Sequence, residues 1–235
     1  MRILYFSAAS KICLDMKICC YTCITGNYDR LKDPKVVSEN IDFICFTDNQ
    51  MLRSKVWQIR PIPEDLQYLS DVKTQRTIKL CPHRYLSDYD LSIWIDGNIE
   101  IIGDLNEFLG RYDLNSAELF TRIHPSRKCV YEEAKKILAI GKDLPENILP
   151  IVDRYRNEGF PENIGMAETG ILVRRHNERT CRLFSNAWAT ELLLNSHRDQ
   201  MSFNYVAWKM HFQIGYLTKD FDLKADKYFR WRMHG

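Results

Sequence analysis

The chain has 235 residues, enough for one large domain or two small ones, and is 45% hydrophobic and 27% charged, as an ordinary globular protein is. Thirty-three basic residues against 31 acidic ones leave a net charge of +2, which argues against a nucleic-acid partner, so phosphate recognition has to come from local clusters. No apolar run approaches the roughly 20 residues of a transmembrane segment.

Residues 1–15 start like a signal peptide, but Lys11 and Asp15 fall where an apolar core should continue. Met16-Lys17-Ile18 opens the first convincing strand and echoes Met1-Arg2-Ile3. Residues 1–15 are therefore read as a short extension that need not be native, with Met16 as an alternative start, and 16–235 as one domain. Without a secretory signal, the eight cysteines read as free thiols of a reducing, cytoplasmic setting, peripheral to a membrane at most. Cys20-Tyr21-Thr22-Cys23 has the spacing of a metal or redox pair, but no second pair accompanies it. Cys13, Cys19, Cys20, Cys23 and Cys45 stand in apolar, strand-like surroundings, where cysteine packs as a small hydrophobe.

Residues 17–25 form a buried strand that ends in the turn signal Gly26-Asn27-Tyr28-Asp29. A second strand, 41–46, ends in Thr47-Asp48-Asn49, and 57–61 is a third. Asp71 can cap a helix reaching about Cys81, where Pro82 ends or kinks it. A strand then runs into Asp96-Gly97-Asn98. Residues 118–123 form another strand, and 127–140 are helical by the spacing of Val130, Ala134, Ile137 and Leu138. Residues 144–161 are irregular or helical. Ile171-Leu172-Val173 is a strand after Glu168-Thr169-Gly170, and helices follow over 177–195 and 199–211. Strands alternating with helices predict an α/β fold with a mainly parallel sheet.

Asp96 and Asn98, two apart, point to one side if the backbone is extended, and two oxygen ligands suit a hard divalent cation, Mn²⁺ or Mg²⁺. The competing reading is a plain turn, since Asp-Gly is a strong turn dipeptide. Arg76, Lys79 and His83, with Lys73 one turn earlier, make a cationic helix stripe suited to phosphate oxygens or to solvent. Thr25 and Gly26 end the first strand, where backbone N–H groups can meet a phosphate. Asp48 closes the second strand and can bind a ribose or a base, or serve only an Asx turn. His124 and Arg127 sit between a strand and a helix, with Ser126 as a candidate cap. Asp199 and Gln200 begin a helix and can hydrogen-bond sugar hydroxyls. His234 matters only if the tail folds back.

In that order these motifs resemble nucleotide-sugar glycosyltransferases of the GT-A type, and distantly the glycogenin and lipopolysaccharide galactosyltransferase group. Whole segments are similar to a bacterial and plant glycosyltransferase-like family with plant mucilage-related members, formerly a domain of unknown function. These segments are Tyr21-Thr-Cys-Ile-Thr-Gly-Asn-Tyr-Asp29, Asp42-Phe-Ile-Cys-Phe-Thr-Asp48, Trp94-Ile-Asp-Gly-Asn98, His124-Pro-Ser-Arg127, Glu168-Thr-Gly170 and Arg198-Asp-Gln-Met-Ser-Phe203. The resemblance implies a single GT-A-like, Rossmann-like domain. It also implies transfer of a sugar from a nucleoside-diphosphate donor to a hydroxyl of a glycan or lipid-linked acceptor, as in surface polysaccharide synthesis. Asp96, Asn98 and His234 would hold Mn²⁺ or Mg²⁺. Thr25, Gly26, Asp48, Arg76, Lys79, His124 and Arg127 would bind substrate, and Asp199, Gln200 and Glu168 would act at the reacting sugar. Two departures stand out: Asn98 replaces the second acid of Asp-x-Asp, and Glu168 replaces an amide. A metal-dependent hydrolase and a non-catalytic nucleotide-sugar binding module are the alternatives.

Overall fold

The computed structural model describes residues 16–217 and 226–234, so the expected extension at 1–15 lies outside the described residues. Strands β1 (Ile18–Ile24) and β2 (Ile41–Thr47) are almost wholly buried along their length. Near-continuous apolar runs of this kind belong to parallel sheets covered on both faces. With β3 (Gln58–Pro61), β4 (Leu91–Ile95), β6 (Leu119–Ile123), β7 (Ala167–Arg174) and β8 (Ile214–Tyr216) they form one seven-stranded sheet, in the order β3-β2-β1-β4-β7-β6-β8. Six of these strands run one way, and β7 runs against both of its neighbours. The mainly parallel α/β reading of the sequence therefore holds, with one reversed strand in the middle.

Helix α1 (Asp71–Leu80) stops at Cys81 because Pro82 has no N–H to continue the ladder. Pro82 instead opens the separate short helix α2 (Pro82–Tyr85), a position that suits its fixed φ. The break divides the expected cationic stripe. His83 bonds Asn186 at 3.1 Å, turned away from Arg76 and Lys79. Asp71 is not the cap it was expected to be: it is the first helical residue and Ser70 precedes it.

After α3 (Leu105–Leu109) come α4 (Val130–Ala139), α5 (Pro145–Asn157), α6 (Arg179–Leu194) and α7 (Asp199–Lys209). The stretch read as irregular or helical is thus largely the helix α5. Because α4 starts only at Val130, Ser126 does not cap it; its N–H donates to His124. Two apolar clusters fill the two sides of the sheet. One packs Tyr21, Trp94, Ile78, Phe184, Trp188 and Phe203 together, and the other packs Ile18, Phe43, Trp57, Ile93, Phe108 and Phe229. Cys23 belongs to the first and Cys20 to the second, so the C-x-x-C pair is split between the two clusters and cannot share a metal. Burial pushes the Cys45 thiol up to about 12.

Residues 226–234 return to the sheet edge. Strand β9 (Phe229–Trp231) pairs antiparallel with β5 (Ile99–Ile101), directly after Asp96-Gly97-Asn98. Arg122, 1% exposed, pairs with Asp226 and lies against the rings of Phe229 and Trp231, at 5.4 and 4.7 Å. No helix among the described residues is long and apolar enough to cross a membrane.

Candidate functional site

The ends of β1, β2 and β4 and the start of the reversed β7 meet the starts of α1 and α7 at one sheet edge, the usual place for a ligand in an open α/β sheet. At its centre is Lys79, 1% exposed. Its Nζ lies 2.9 Å from Asp96 Oδ1 and 2.6 Å from Asp199 Oδ2. The face of α1 that carries Lys79 also carries Arg76, whose Nη2 is 3.8 Å from Asp199 Oδ1. Arg76, Asp199, Lys79 and Asp96 therefore alternate in sign along one chain of contacts. Trp94 Nε1 donates to the same Asp96 Oδ1 at 2.8 Å, and Thr169 Oγ1 donates to Asp199 Oδ2 at 2.9 Å.

Asp199 is the first residue of α7, and that helix start is pinned from two sides. Trp188 Nε1 donates to the Asp199 carbonyl at 3.0 Å, and the Ala167 N–H donates to Asn204 Oδ1 at 2.8 Å. Burial alone would raise the Asp199 carboxyl. The charges of Arg76 and Lys79, with hydrogen bonds from Lys79 and Thr169, instead hold it well below the usual carboxylate range. Gln200 follows it, half-buried, in the first turn.

Glu168 has the opposite environment. Burial and then the nearby Asp96 charge raise its carboxyl to about 7. Its Oε1 accepts from the Gly170 N–H at 2.8 Å, while Oε2 is enclosed with no hydrogen-bond partner among the described residues. A bulge produces this arrangement. On β6 the pair Arg122–Glu168 directly follows Thr121–Leu172, so Thr169, Gly170 and Ile171 have no opposite residue. Bulges re-aim side chains in this way beside functional sites. Thr121 Oγ1 holds the bulge by bonding the carbonyls of Glu168 at 2.7 Å and Ile171 at 3.0 Å. Gly170 leaves room for the acid: a Cβ there would lie 2.5 Å from Glu168 Oε1 and 3.4 Å from Asp96 Oδ2.

Asp96-Gly97-Asn98 is a turn rather than extended backbone, with the Ile99 N–H donating to the Asp96 carbonyl at 2.9 Å. Asp96 and Asn98 therefore do not point together as expected. Asp96 faces Lys79 and Gly170, whereas Asn98 Nδ2 donates to the Arg232 carbonyl at 3.1 Å. The tail is present at this edge: His234 Nδ1 lies 2.9 Å from Asp29 Oδ1. On the β1 side, the Gly26 N–H donates to Asp48 Oδ2 at 2.9 Å, and Thr25 Oγ1 donates to the Asp71 carbonyl at 2.9 Å. Gly26 has φ +61°, and a Cβ there would collide with the Asp71 carboxylate, so both conformation and space require glycine.

His124 and Arg127 are engaged with one another. His124 Nδ1 accepts the N–H groups of Ser126 and Arg127, Arg127 Nη2 lies 2.9 Å from Nε2, and Arg127 pairs with Glu133. Burial and Arg127 lower His124 to about 4, so it is neutral near pH 7. Trp94, Thr169 and Asp29 fall inside motifs read from the sequence, but no site role was assigned to their side chains there. Trp94 has the one legible signal, standing two residues before Asp96 on a strand.

Among the described residues no three His, Cys, Asp or Glu side chains gather closely enough to hold a metal by themselves. The donors at this edge are nonetheless of the right kind: the outer Asp96 oxygen, the Asn98 amide and an imidazole suit Mn²⁺ or Mg²⁺. Magnesium in particular is commonly held by one or two carboxylates together with substrate phosphates. By donor type, though not by a preformed three-residue cluster, these residues fit such a cation.

Among solved structures the chain is similar in fold to WbbM, a bifunctional glycosyltransferase, with a TM-score of 0.52 and 11% identity over 86% of this chain and 39% of that one. Among characterised sequences it is 26% identical over 223 residues to the probable hexosyltransferase MUCI70 of Arabidopsis thaliana, covering 82% of this chain and 38% of that protein. The chain thus spans about two fifths of the length of each. The TOD1/MUCI70 glycosyltransferase-like domain matches residues 7–230, nearly the whole chain, and the chain belongs to that family.

Proposed function

We propose that the chain transfers a hexose-type sugar from a nucleoside-diphosphate donor to an acceptor hydroxyl, assisted by a divalent cation. One observation carries the reading: a buried ammonium, Lys79, held between two carboxylates at the ligand-binding edge of the sheet, with Arg76 beside it. The cluster is preorganised in folding, and Arg76, only in long contact with Asp199, is its cation best placed to meet the charge that develops on a diphosphate leaving group.

In this reading the Gly26 turn and Asp48 bind the nucleoside, with Thr25 fixing the turn to α1. Arg76 faces the diphosphate and the donor sugar, and the buried Lys79 behind it holds Asp96 and Asp199 in place. Asp199, held ionised by its neighbours, accepts hydrogen bonds from sugar hydroxyls, and Gln200 adds an amide beside it. Asp96 and His234, with the Oδ1 of Asn98, would hold the Mn²⁺ or Mg²⁺, which would supply Lewis-acid neutralisation of the leaving diphosphate. Glu168, with a free carboxyl oxygen and a pKa near neutrality, takes the proton of the acceptor hydroxyl. Arg127 and His124 lie past the end of β6 and border the acceptor side, a glycan or lipid-linked hydroxyl. A cytoplasmic, membrane-peripheral role in surface polysaccharide synthesis accords with such an acceptor.

The test is thermal unfolding with UDP, GDP, ADP and CDP, each with and without Mn²⁺. A ligand at 100 times its Kd stabilises by about 2.7 kcal/mol. A cation-dependent rise in Tm with one nucleotide, lost in Asp96→Ala, is expected. No shift with any nucleotide overturns the reading.

A further inference from the structure

We infer that Asp29 is a positioning residue for the cation site, orienting His234 and supplying the carboxylate charge that Asn98 lacks. The inference rests on the cation reading above and adds a residue outside the Asp-Gly-Asn motif.

Asp29 lies past the end of β1, in the loop that begins Gly26-Asn27-Tyr28, and its side chain is 10% exposed. Its two oxygens have different tasks. Oδ1 meets His234 Nδ1 at 2.9 Å, and a carboxylate can only accept, so Nδ1 carries the proton. In the neutral ring that selects the tautomer with Nε2 bare, which is the form of imidazole that binds a cation. Histidine ligands to metals commonly have such a carboxylate on the other nitrogen, where it orients the ring and raises its basicity. Oδ2 packs against the turn that carries Asp96 and Asn98: a Cβ on Gly97 would lie 2.8 Å from it. Gly97 is therefore small because a second acid lies on it. The Tyr28 ring, 4.9 Å from the imidazole, adds a wall on the other side.

His234 is held there by more than this one bond. The tail is tied by Arg122 to Asp226, by the β5–β9 ladder, and by Arg232, whose Nη2 and Nε lie 2.7 and 3.0 Å from Glu100 Oε2. The Arg232 N–H also donates to the Asn98 carbonyl at 2.9 Å. The segment arrives in register with the turn it serves. Residues far apart in sequence, Asp29, Gly97 and His234, thus form one unit beside Asp96.

Two measurements on the whole chain test this. The first is the tautomer of His234 without metal, read from imidazole ¹⁵N shifts, with the resonance assigned by its loss in His234→Gln. Nδ1–H is expected in the wild type and in Asp29→Asn, whose amide oxygen still accepts, and a change toward Nε2–H in Asp29→Ala. The second is Mn²⁺ affinity by electron paramagnetic resonance in the presence of UDP, GDP, ADP or CDP. Asp29→Ala should weaken it by ~10–100-fold. Gly97→Ala should weaken it similarly by displacing Asp29, yet add little in an Asp29→Ala background, since the two changes act on one contact. An unchanged tautomer together with unchanged Mn²⁺ affinity in Asp29→Ala overturns the inference while leaving the cation reading intact. A wild type that binds no Mn²⁺ with any of the four nucleotides overturns both.

Discussion

Two carboxylates at this sheet edge have opposite fates. Asp199 lies on the side of Lys79, Arg76 and Thr169, and is held ionised well below the ordinary range although it is buried. Glu168, one residue before Thr169, lies in the bulge of β7 beside Asp96, and burial followed by that charge lifts it to about 7. Both are acids in low-dielectric surroundings, and the difference lies in their partners. Cations convert burial into tight ion pairing, while an anion and an empty oxygen convert it into a proton affinity near neutrality. Environments that push two acids apart in this way are how one site separates an electrostatic role from a proton-transfer role.

The largest effect should come from removing the cation that separates the two sides. Lys79→Met keeps most of the side-chain volume and removes the ammonium that links Asp96 to Asp199, leaving the buried Asp199 with only the longer Arg76 contact at 3.8 Å. Breaking a buried pair from one side costs about 3–5 kcal/mol. Urea unfolding at pH 7 should show a loss of that order, and an Asp199→Asn change in the same background should restore part of it. A loss below about 1 kcal/mol means Lys79 is not the partner of both acids. In the wild type, the depressed Asp199 contributes stability that is present above its unfolded value of 3.8 and is lost as the pH falls below it.

Glu168 runs the other way, and Glu168→Gln sharpens the contrast. A carboxyl raised to about 7 binds its proton more tightly folded than unfolded, so its contribution is full below about 4.5 and declines as the pH rises through 7. At about 1.4 kcal/mol for each tenfold change in proton affinity, the wild type loses on the order of 3 kcal/mol by alkaline pH. Glu168→Gln should remove that decline, becoming the more stable protein at pH 8. If Glu168 is the base, kcat of the wild type should climb with pH around 7. In the variant that limb should vanish, with kcat down by roughly 10²–10⁴-fold. A variant with the same pH profile in both stability and rate removes Glu168 from the site.

Much of the scaffold was legible in the residues. The apolar runs of β1, β2 and β4 and the Pro82 stop of α1 are local signals, and their strand ends delivered Thr25, Asp48 and Asp96 to one edge. The ion chain was only half legible. A three-residue spacing put Arg76 and Lys79 on one helix face, but nothing in it says that Lys79 is buried or that its partners come from β4 and α7. The bulge at Thr169–Ile171 depends on register with β6, a pairing that sequence spacing does not encode. Short strands such as β5, β8 and β9 carry too few residues for a periodic pattern and exist through their partners. Asn98 was read from an extended backbone, and the turn at Gly97 changed where it points.

Gly170→Ala tests the bulge itself at a smaller scale. Its Cβ would fall 2.5 Å from Glu168 Oε1, so the carboxyl has to move or the strand has to shift. Overpacking of this kind costs about 1–3 kcal/mol. Because the displaced acid also loses the Gly170 N–H, the pH-dependent decline of stability should change shape along with the midpoint. The same loss at every pH would mean that the clash is absorbed by backbone alone.

The smallest change acts on the other acid through the same three residues. Thr169→Val removes one hydrogen bond to Asp199 Oδ2 and little volume. Hydrogen bonds to charged groups contribute roughly 1.5–3 kcal/mol, and Lys79 and Arg76 remain to hold the carboxylate, so a loss near the lower end is expected at pH 7. The sign of its pH dependence is the useful part. Removing a donor from an ionised acid raises its folded pKa toward the unfolded value, so the penalty should shrink as the pH falls through the acid range. The stability difference between Glu168→Gln and the wild type changes with pH between about 4.5 and 7 and is constant above that window. If Thr169→Val instead acts in that upper window, Thr169 is coupled to Glu168 rather than to Asp199, and the division of the site into an ion-paired side and a proton-holding side fails at the residue that joins them.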